Sequence, residues 1–422
     1  MIKLMRRKFL VVVVVGLILR VVFSLITYHS DIQPFDLAGY VISHGHILDY
    51  YDFLPNLPPD DPILKTYPAN LFNYPPAVYF FLGAMSILFT GWSDPVFHYN
   101  FIFNVVSVLG SLQTVFHLLL LKLPYFAFDF ALASLLFRLF QTPKEKFLAF
   151  TLWIFNPVNL YATYMMGQFD IIPAFFVVLA LFWVAKKPIL SFRDAVFVAL
   201  ALGLGGAFKI YPLFLLVPLV SLVNGWKRRI LIFMVGFVPY LLIILPFLPS
   251  RGFRATALLA GQTLKSIYAQ IPISGGESIL LFLALLVFFY LVFFHIKTTT
   301  SNLWQNFFII LLLFFIFTHY HPQWFLWLTP FFIFALIRSD FKDSLAVLAS
   351  LFSFVGLIFF FDPGLSIGLF SPLNPVLYNT QSIWQLLKIN IDYNFARSVL
   401  QTIFAGNALF FLYRYFPKSS QD

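Results

Sequence analysis

Fourteen apolar runs, each 14 to 22 residues long, follow one another along the sequence. A helix needs about 20 apolar residues to cross a bilayer, and tilted or half-embedded helices depart from this length. Only 10% of the residues are charged, whereas soluble domains carry about 25%. The runs cover residues 9–28, 75–90, 99–120, 124–140, 148–164, 169–185, 193–208, 210–223, 230–247, 278–295, 304–318, 323–337, 343–361 and 398–415. The sequence therefore predicts an all-α polytopic membrane protein with about 11 to 14 transmembrane helices.

The chain contains 422 residues and no internal repeat of fixed period, so we expect residues 1–422 to form a single integral membrane domain. Its first apolar run follows basic residues, as in a signal peptide, but it lacks a small-residue cleavage site. We therefore expect residues 9–28 to form an uncleaved first helix. The chain has no cysteine, which excludes disulfides, thiol nucleophiles and thiolate metal ligands.

Lysine and arginine residues lie mainly in short loops between the apolar runs, and the loops richest in these residues are usually cytoplasmic. This bias predicts a cytoplasmic N-terminus in a multi-pass protein of the cell (plasma) membrane. It also accounts for the net charge of +10, so we expect membrane lipids but no nucleic acid as partners. The residues assigned to the cytoplasm are Lys3, Arg6, Arg7, Lys8, Lys144, Lys146, Lys186, Lys187, Lys227, Arg228, Arg229, Lys297, Arg338, Lys342, Arg414 and Lys418.

Alternation from that N-terminus places three long loops on the extracytoplasmic side, at residues 29–74, 249–277 and 362–397. The first loop should contain interfacial helices, and it holds six aspartates but only one lysine or arginine. Polar groups near membrane depth are costly and are usually functional. We therefore expect a shared extracytoplasmic site.

Within the first loop, Asp36 and Tyr40 are one helical turn apart on a segment with an apolar face. This pattern predicts an amphipathic helix that lies at the membrane surface. A partly desolvated carboxylate gains proton affinity, which would suit Asp36 to act as a general base. Alternatively, Asp36 merely caps the helix.

Two further motifs on the same side place polar side chains among apolar ones. The turn GQFD contains Gln168 and Asp170, which could bind a ligand, although Asp170 could instead cap the next helix. In FKIYP, Lys209 is followed by Tyr211 and departs from the positive-inside bias. This lysine could bind an anion such as phosphate, or its amine could simply extend to the membrane surface.

The 249–277 loop adds Arg251, Arg254 and Lys265, which could complete a cationic pocket for a phosphate or pyrophosphate group, or could simply be solvated. No P-loop or other nucleotide-binding motif occurs, so a nucleotide-linked donor and ATP coupling are not expected. A phosphate-bearing lipid that arrives through the bilayer is the better match to such a pocket.

The stretch THYHPQW follows an apolar run with an unusual group of polar residues. His319 and His321 would point in opposite directions on a helix, which argues against a metal site formed by these two alone. We expect a corner at which at least one histidine, together with Gln323, faces the site. Trp324 could stack on a sugar ring or belong to an aromatic belt. Inside another apolar run, Asp129 is expected to make a structural contact between helices.

Six stretches, in this order, resemble motifs of the GT-C superfamily of polyprenyl-phosphate-sugar-dependent glycosyltransferases. The resemblance is to the mannosyltransferases that include the catalytic subunit of the first GPI mannosyltransferase and bacterial α-mannosyltransferases of phosphatidylinositol mannoside synthesis. The stretches lie within residues 30–335 and read FDLAGYV, FNYPPAVYF, KLPYFAFDFALASLLFRLF, NPVNLYATYMMGQFD, FKIYPLFLLVP and HPQWFLWLTP. The resemblance implies a GT-C-type fold and an inverting transfer of a hexose, mannose in the first instance, from a polyprenyl-phosphate donor to an acceptor hydroxyl of a lipid-linked glycan.

The resemblance also implies roles for individual residues. The first-loop aspartate of the family, its proposed general base, falls on Asp36, so Asp36→Asn should leave a folded but nearly inactive protein. The acid of the helix-pair corner falls on Asp170, and the lysine of the Lys-x-Tyr-Pro motif falls on Lys209. The late corner histidine corresponds to His319 or His321.

Some relatives carry an Asp-x-Asp motif in the first loop, whereas Asp31 and Asp36 are five positions apart here. We therefore expect no metal ion, and no other cofactor. An alternative function is a transporter or flippase of a lipid-linked sugar, which the composition fits equally well. A transporter would be expected to show inverted repeats with matched broken helices, and the sequence contains no such matched halves.

Overall fold

The computed structural model describes residues 2–91, 93–258, 265–296 and 298–418. This part of the chain is 73% helical, and strands are almost absent from it. Lys297, one of the residues assigned to the cytoplasm, lies outside the described residues. The α-helices are α1 (Ile2–Ile26), α2 (Gln33–Ser43), α3 (Pro62–Thr66), α4 (Pro76–Thr90), α5 (Pro95–Phe103), α6 (Leu112–Leu139), α7 (Pro143–Ile154), α8 (Pro157–Asn159), α9 (Ile171–Ala185), α10 (Phe192–Phe208), α11 (Tyr211–Phe214), α12 (Leu216–Ser221), α13 (Trp226–Ile244), α14 (Arg251–Phe253), α15 (Leu281–His295), α16 (Leu303–Phe317), α17 (Thr329–Arg338), α18 (Ser344–Ile358), α19 (Ile383–Leu386) and α20 (Tyr393–Arg414).

Short irregular helices and one small sheet connect these elements. The 3₁₀ segments are Ser30–Ile32, Tyr50–Asp52, Leu54–Asn56, Val105–Ser107, Leu245–Phe247, Lys265–Ile267, Pro322–Trp327, Pro363–Leu365, Ile367–Phe370 and Pro375–Asn379, and the π-helical segments are Leu160–Met165 and Arg254–Leu258. Strands β1 (Gln270–Pro272) and β2 (Ser278–Leu280) form an antiparallel pair in which Ile271 is opposite Ile279. Strand β1 lies in the predicted loop 249–277, whereas β2 occupies the first residues of the predicted span 278–295. The hairpin is therefore a departure from the all-α prediction.

By length and composition, four of the described helices could cross a membrane: Arg7–Ile26, Leu112–Leu139, Trp226–Phe247 and Tyr393–Arg414. Seven further apolar helices of 10–17 residues are shorter than a usual span, namely Pro76–Phe89, Ile171–Ala185, Tyr211–Ser221, Leu281–His295, Leu303–Phe317, Thr329–Arg338 and Ser344–Ile358. The chain is therefore an all-α membrane protein, and this part of the predicted fold class is confirmed.

One long helix replaces two of the predicted spans. The sequence predicts separate spans at residues 99–120 and 124–140, with Lys122 between them. The structure instead has the short helix α5 and the continuous helix α6, so this division is wrong. Lys122 is accommodated because its amine donates to the carbonyls of Ser24 and Thr27, at distances of 3.3 and 2.6 Å, at the C-terminal end of α1.

A buried polar network joins α1, α6 and α7 in the middle of the bundle. The Arg20 guanidinium contacts the Asp129 carboxylate at 2.6 Å, and both side chains are completely buried. Asp129 also accepts hydrogen bonds from Trp153, Asn159 and Tyr164, at 2.6, 2.9 and 2.6 Å. The prediction that Asp129 makes an interhelical contact is confirmed, and its charge is balanced by Arg20 as a buried carboxylate requires.

Helices α10 and α13 approach so closely that a side chain at their crossing has no space. A Cβ atom on Gly203 would collide with the backbone carbonyl oxygen of Gly236, and it would lie 2.9 Å from a ring carbon of Pro239. Glycine at position 203 therefore allows the backbones to touch. This contact fixes α10, whose C-terminal end carries Lys209.

Several polar segments meet at one end of the bundle, which we call the site end. It is formed by the C-terminal end of α1, the first loop and the start of α6. Basic residues meet at the opposite end, where Lys186 donates to the Arg138 carbonyl at 3.1 Å and Arg338 lies over the Phe140 ring. The two ends of the bundle thus differ in chemistry.

Candidate functional site

Two adjoining cavities at the site end share the lining residues Asn73, Tyr74 and Trp324. The first, the Asp31 cavity, has a volume of about 190 Å³ and is also lined by Asp31 and His321. The second, the Lys209 cavity, has a volume of about 120 Å³ and is mainly aromatic and aliphatic apart from its lysine. The remaining residues of the Asp31 cavity are Pro34, Phe35, Leu71, Tyr79 and Gln323. A carboxylate and an amine therefore line neighbouring parts of one recess.

Asp31 supplies the accessible carboxylate of this recess. It lies in the 3₁₀ turn Ser30–Ile32, immediately before α2, and its side chain is 45% exposed. One carboxylate oxygen accepts a hydrogen bond from the Gln168 amide at 2.8 Å. The same oxygen lies 3.6 Å from His29 Nδ1, and the half-exposed side chain leaves acceptor positions of Asp31 open to a ligand.

Lys209 and Asp170 form a buried ion pair beside this carboxylate. The Lys209 ammonium contacts Asp170 Oδ1 at 2.7 Å, and the lysine side chain is only 9% exposed. Asp170 makes no capping hydrogen bond at the start of α9, and Oδ1 instead accepts from Lys209 and from the Trp327 indole N–H at 2.6 Å. The two alternative interpretations, a helix cap for Asp170 and a surface-seeking amine for Lys209, are therefore wrong.

Four aromatic rings surround the Lys209 ammonium. Their centroids lie 5.1 to 5.6 Å from the nitrogen, and the rings are those of Tyr74, Phe169, Trp324 and Trp327. Burial lowers the pKa of the Lys209 amine, and the charge of Asp170 opposes this effect. The surrounding π-systems also favour a cation, so the amine is held in a dry but electrostatically favourable position.

His321, which lines the Asp31 cavity, forms a second nitrogen pair with Lys265, which lines neither cavity. The Lys265 ammonium and His321 Nε2 are 3.2 Å apart. Burial, reinforced by the nearby charge of Lys265, lowers the pKa of His321 to about 4. The imidazole is therefore neutral at pH 7 and accepts a hydrogen bond from Lys265.

One of the two histidines in the stretch THYHPQW lines the recess. His321 lines the Asp31 cavity, whereas His319 lines a separate groove of about 690 Å³ together with Arg397 and Gln401. Tyr320, between them, is buried against Phe315. His319 is thus a neighbour of the recess but does not belong to its lining.

Stacked aromatic rings form one wall of the recess. Tyr211 stacks on Trp327, with centroids 4.1 Å apart, and Trp327 stacks on Trp324 at 5.4 Å. Five buried polar atoms near this wall have no hydrogen-bond partner among the described residues: Gln168 Oε1, Asp170 Oδ2, Tyr211 OH, Gln323 Oε1 and Trp324 Nε1. Buried polar atoms are rarely left unpaired, so this arrangement is typical of a surface that binds a polar ligand.

Asp36 does not share this environment. Its side chain is completely buried and lines neither cavity of the recess. The oxygens of Asp36 accept from the Ser86 hydroxyl and contact the Nε2 atoms of His98 and His117 at 3.1 and 2.9 Å. Burial would raise the pKa of Asp36, but the two histidines outweigh it and the pKa is lowered. The expected gain in proton affinity is therefore wrong. The expected helix, α2, is present, and Asp36 lies inside it and not at its cap.

Three other predicted site residues also lie away from the recess. The Tyr40 ring packs against His44 and Phe103, and Arg251 is exposed at the start of α14. Arg254 donates to the carbonyls of Leu248 and Pro249 at 2.6 and 2.8 Å. None of these three residues lines either cavity. Lys209 belongs to the cavity lining, and Lys265 reaches the recess through its contact with His321.

Five predicted residues line the recess, namely Lys209, Tyr211, His321, Gln323 and Trp324. Three more, Gln168, Asp170 and Lys265, contact the lining residues Asp31, Lys209 and His321, respectively. The sequence does not distinguish Asp31 as a site residue from the other first-loop acids. Its position just before an amphipathic helix, next to the predicted membrane surface, is the signal that could have identified it. Comparison of the sequence with protein-family models and with curated proteins gives no match. Any function therefore has to be inferred from the side chains themselves.

Proposed function

We propose that this chain is an inverting membrane glycosyltransferase. It would transfer a hexose from a polyprenyl-phosphate donor to an acceptor hydroxyl of a lipid-linked glycan. Mannose is the first candidate for this hexose. One observation carries the proposal. A half-exposed carboxylate, Asp31, shares an aromatic-walled recess with a buried cation, Lys209, at one end of an apolar helix bundle.

Asp31, not Asp36, is the general base of the proposed reaction. Its half-exposed carboxylate lines the recess, whereas Asp36 is completely buried and contacts Ser86, His98 and His117. Asp31 would take the proton from the acceptor hydroxyl while that oxygen attacks C1 of the sugar. The bond between C1 and the phosphate oxygen would break on the opposite face. General-base assistance of this kind contributes about 10²- to 10⁴-fold to the rate.

Lys209 and Lys265 are suited to stabilise the departing phosphate. An ammonium group has three donors, and Asp170 occupies one donor of Lys209, so others remain for phosphate oxygens. Lys265 lies beside the neutral His321, which lines the Asp31 cavity. Positive charge that is already fixed in a dry recess stabilises developing negative charge more strongly than solvated loop residues do.

The aromatic wall and the unpaired polar atoms support a sugar as the transferred group. Trp324 borders both cavities, and a sugar ring can pack on such an indole face. Gln168 Oε1 and Gln323 Oε1 can accept hydrogen bonds from sugar hydroxyls, and Trp324 Nε1 can donate one. These groups would orient the sugar while Asp31 and Lys209 act on opposite sides of its anomeric carbon.

The GT-C-type fold, with about 11 to 14 spans, and the extracytoplasmic position of the site are part of the same proposal. The separation of chemistry along the bundle supports it. Basic loops meet at the end that contains Lys186 and Arg338, whereas the recess lies at the other end. Cytoplasmic loops are usually the basic ones, so a plasma-membrane protein of this orientation would have its recess outside.

The direct test is a transfer assay on purified protein with a polyprenyl-phosphate-linked hexose and a lipid-linked acceptor. Asp31→Asn should reduce turnover by about 10²- to 10⁴-fold, because the amide cannot accept the proton. The matched control is Asp49→Asn, which changes an exposed first-loop aspartate paired with His46 and should leave turnover unchanged.

Wild-type turnover in Asp31→Asn would remove Asp31 from the mechanism. The same assay separates the transporter alternative from the enzyme. A transporter would move the lipid-linked sugar across proteoliposome membranes without releasing polyprenyl phosphate, whereas the proposed enzyme releases it even in detergent solution.

A further inference from the structure

A second group of chemically active side chains lies apart from the recess. Asp36 of α2, His98 of α5 and His117 of α6 bring one carboxylate and two imidazoles together, and one potential ligand atom from each lies within 4.8 Å of the others. Asp36 contacts His98 Nε2 through Oδ1 at 3.1 Å and His117 Nε2 through Oδ2 at 2.9 Å. His98 and His117 are 62 and 81 positions from Asp36 in the sequence, so the tertiary fold brings the three residues together.

The spacing of these atoms matches the coordination shell of a transition metal. Zinc binds imidazole nitrogen and carboxylate oxygen at about 2.0 to 2.2 Å, which places neighbouring ligand atoms roughly 3 Å apart. Two histidines and one carboxylate, with positions left for water, form a common three-ligand set for divalent transition metals. The two separations between Asp36 and the histidine nitrogens, 3.1 and 2.9 Å, are close to this value, and the three ligand atoms lie within 4.8 Å of one another.

The charge of the cluster also favours a cation. Asp36 is completely buried, and within the described residues its ion-pair partners are the two histidines alone. Buried charged groups in proteins are paired or coordinate metal ions. A divalent ion would balance that charge. The His98 side chain is 21% exposed, so one edge of the cluster is open to an ion and to water ligands.

We propose that Asp36, His98 and His117 bind one divalent transition-metal ion, with Zn²⁺ as the first candidate. The ion would join α2 to α5 and α6. Asp31 lies in the turn Ser30–Ile32, directly before α2. A metal ion bound to α2 would therefore also restrict the position of the turn that carries this accessible carboxylate. The proposal replaces the expectation of no metal site, and it does not depend on the proposed glycosyl transfer.

A hydrogen-bonded cluster without metal is the competing account. In that arrangement the Nε2 atoms of His98 and His117 form hydrogen bonds with Asp36, and His117 Nδ1 has no partner among the described residues. Both accounts hold the three helices together. They differ in whether metal binds with defined stoichiometry and whether a change of ligand type at one position preserves the binding.

The test measures metal content of the full-length protein in detergent after incubation with Zn²⁺ and removal of loosely bound ions. The wild-type protein should retain about one equivalent of zinc by mass spectrometry of the metal. His98→Ala should lose it, because two ligands remain. The control His46→Ala removes an exposed histidine that pairs with Asp49 and should retain the full equivalent.

A second substitution keeps the test decisive if His98→Ala folds poorly. His98→Cys supplies a different zinc ligand at the same partly exposed position and should restore binding. With Co²⁺ in place of Zn²⁺, the wild-type protein should show visible ligand-field absorption, and His98→Cys should add a thiolate-to-cobalt charge-transfer band. A wild-type protein that retains no metal, or a His98→Ala variant with wild-type metal content, would overturn the proposal in favour of the hydrogen-bonded cluster. Neither readout involves transferase activity.

Discussion

Loss of the negative charge in the buried network of α1 and α6 should strongly destabilise the protein. Asp129→Asn preserves the size of the side chain and one oxygen, which can still accept from Trp153 and Asn159. The amide nitrogen then replaces the oxygen that accepts from Tyr164 and Arg20. The substitution leaves Arg20, which is completely buried, without its counter-charge. Removal of one partner from a buried ion pair typically costs about 3 to 5 kcal/mol. We expect a loss of this size in the free energy of unfolding.

The structure predicts that a second substitution recovers much of this loss. Arg20→Met removes the unpaired cation and fills its site with an apolar chain of similar length. Replacement of both members of a buried pair by uncharged groups is often nearly neutral. The double variant should therefore be more stable than Asp129→Asn alone, with a coupling energy of about 2 to 4 kcal/mol.

The assay is unfolding of the four proteins in mixed micelles, followed by tryptophan fluorescence. Trp153 donates directly to Asp129 and therefore reports on this region. Lys187→Gln is the control, because it disrupts a surface pair with Asp194 and should have no measurable effect. If the losses caused by the two single substitutions simply add in the double variant, Arg20 and Asp129 do not stabilise each other, and the reasoning about the buried pair is wrong.

Two more predictions concern packing and pH. Gly203→Ala should reduce the free energy of unfolding by about 1 to 3 kcal/mol, because its Cβ would push α13 away. Gly406→Ala, in a helix with open space around it, should be neutral or stabilising. Thermal unfolding measurements compare the two variants. Stability should also fall as the pH drops from about 6.5 to 4, because His321 takes up a proton in the unfolded chain near 6.5 but in the folded protein only near 4. The loss should reach up to about 3 kcal/mol, and a pH series with His321→Gln should lack this component.

The amino-acid sequence is sufficient to identify the membrane class and many members of the recess. Asp129, Asp170 and Lys209 are recognisable because an ionisable side chain in apolar surroundings must find a partner. The sequence also associates Gln168 with Asp170, since both belong to one turn. Local context is enough in these cases.

Other features depend on tertiary contacts that no local pattern reveals. Asp31 and Asp36 are five positions apart, yet α2 directs Asp36 towards α5 and α6 while the preceding turn leaves Asp31 in the recess. His98 and His117 each resemble an isolated histidine in an apolar segment. The continuity of α6 across Lys122 likewise depends on acceptors supplied by α1.

The rings around Lys209 determine at which stage its ammonium group loses its hydration shell. Because Tyr74, Phe169, Trp324 and Trp327 enclose the ammonium group, its hydration shell is displaced during folding and not during an encounter with a ligand. An anion that enters the recess would need to shed only its own shell. Such an anion would gain more from the lysine if it is large and weakly hydrated, as a phosphate diester is compared with a small inorganic ion.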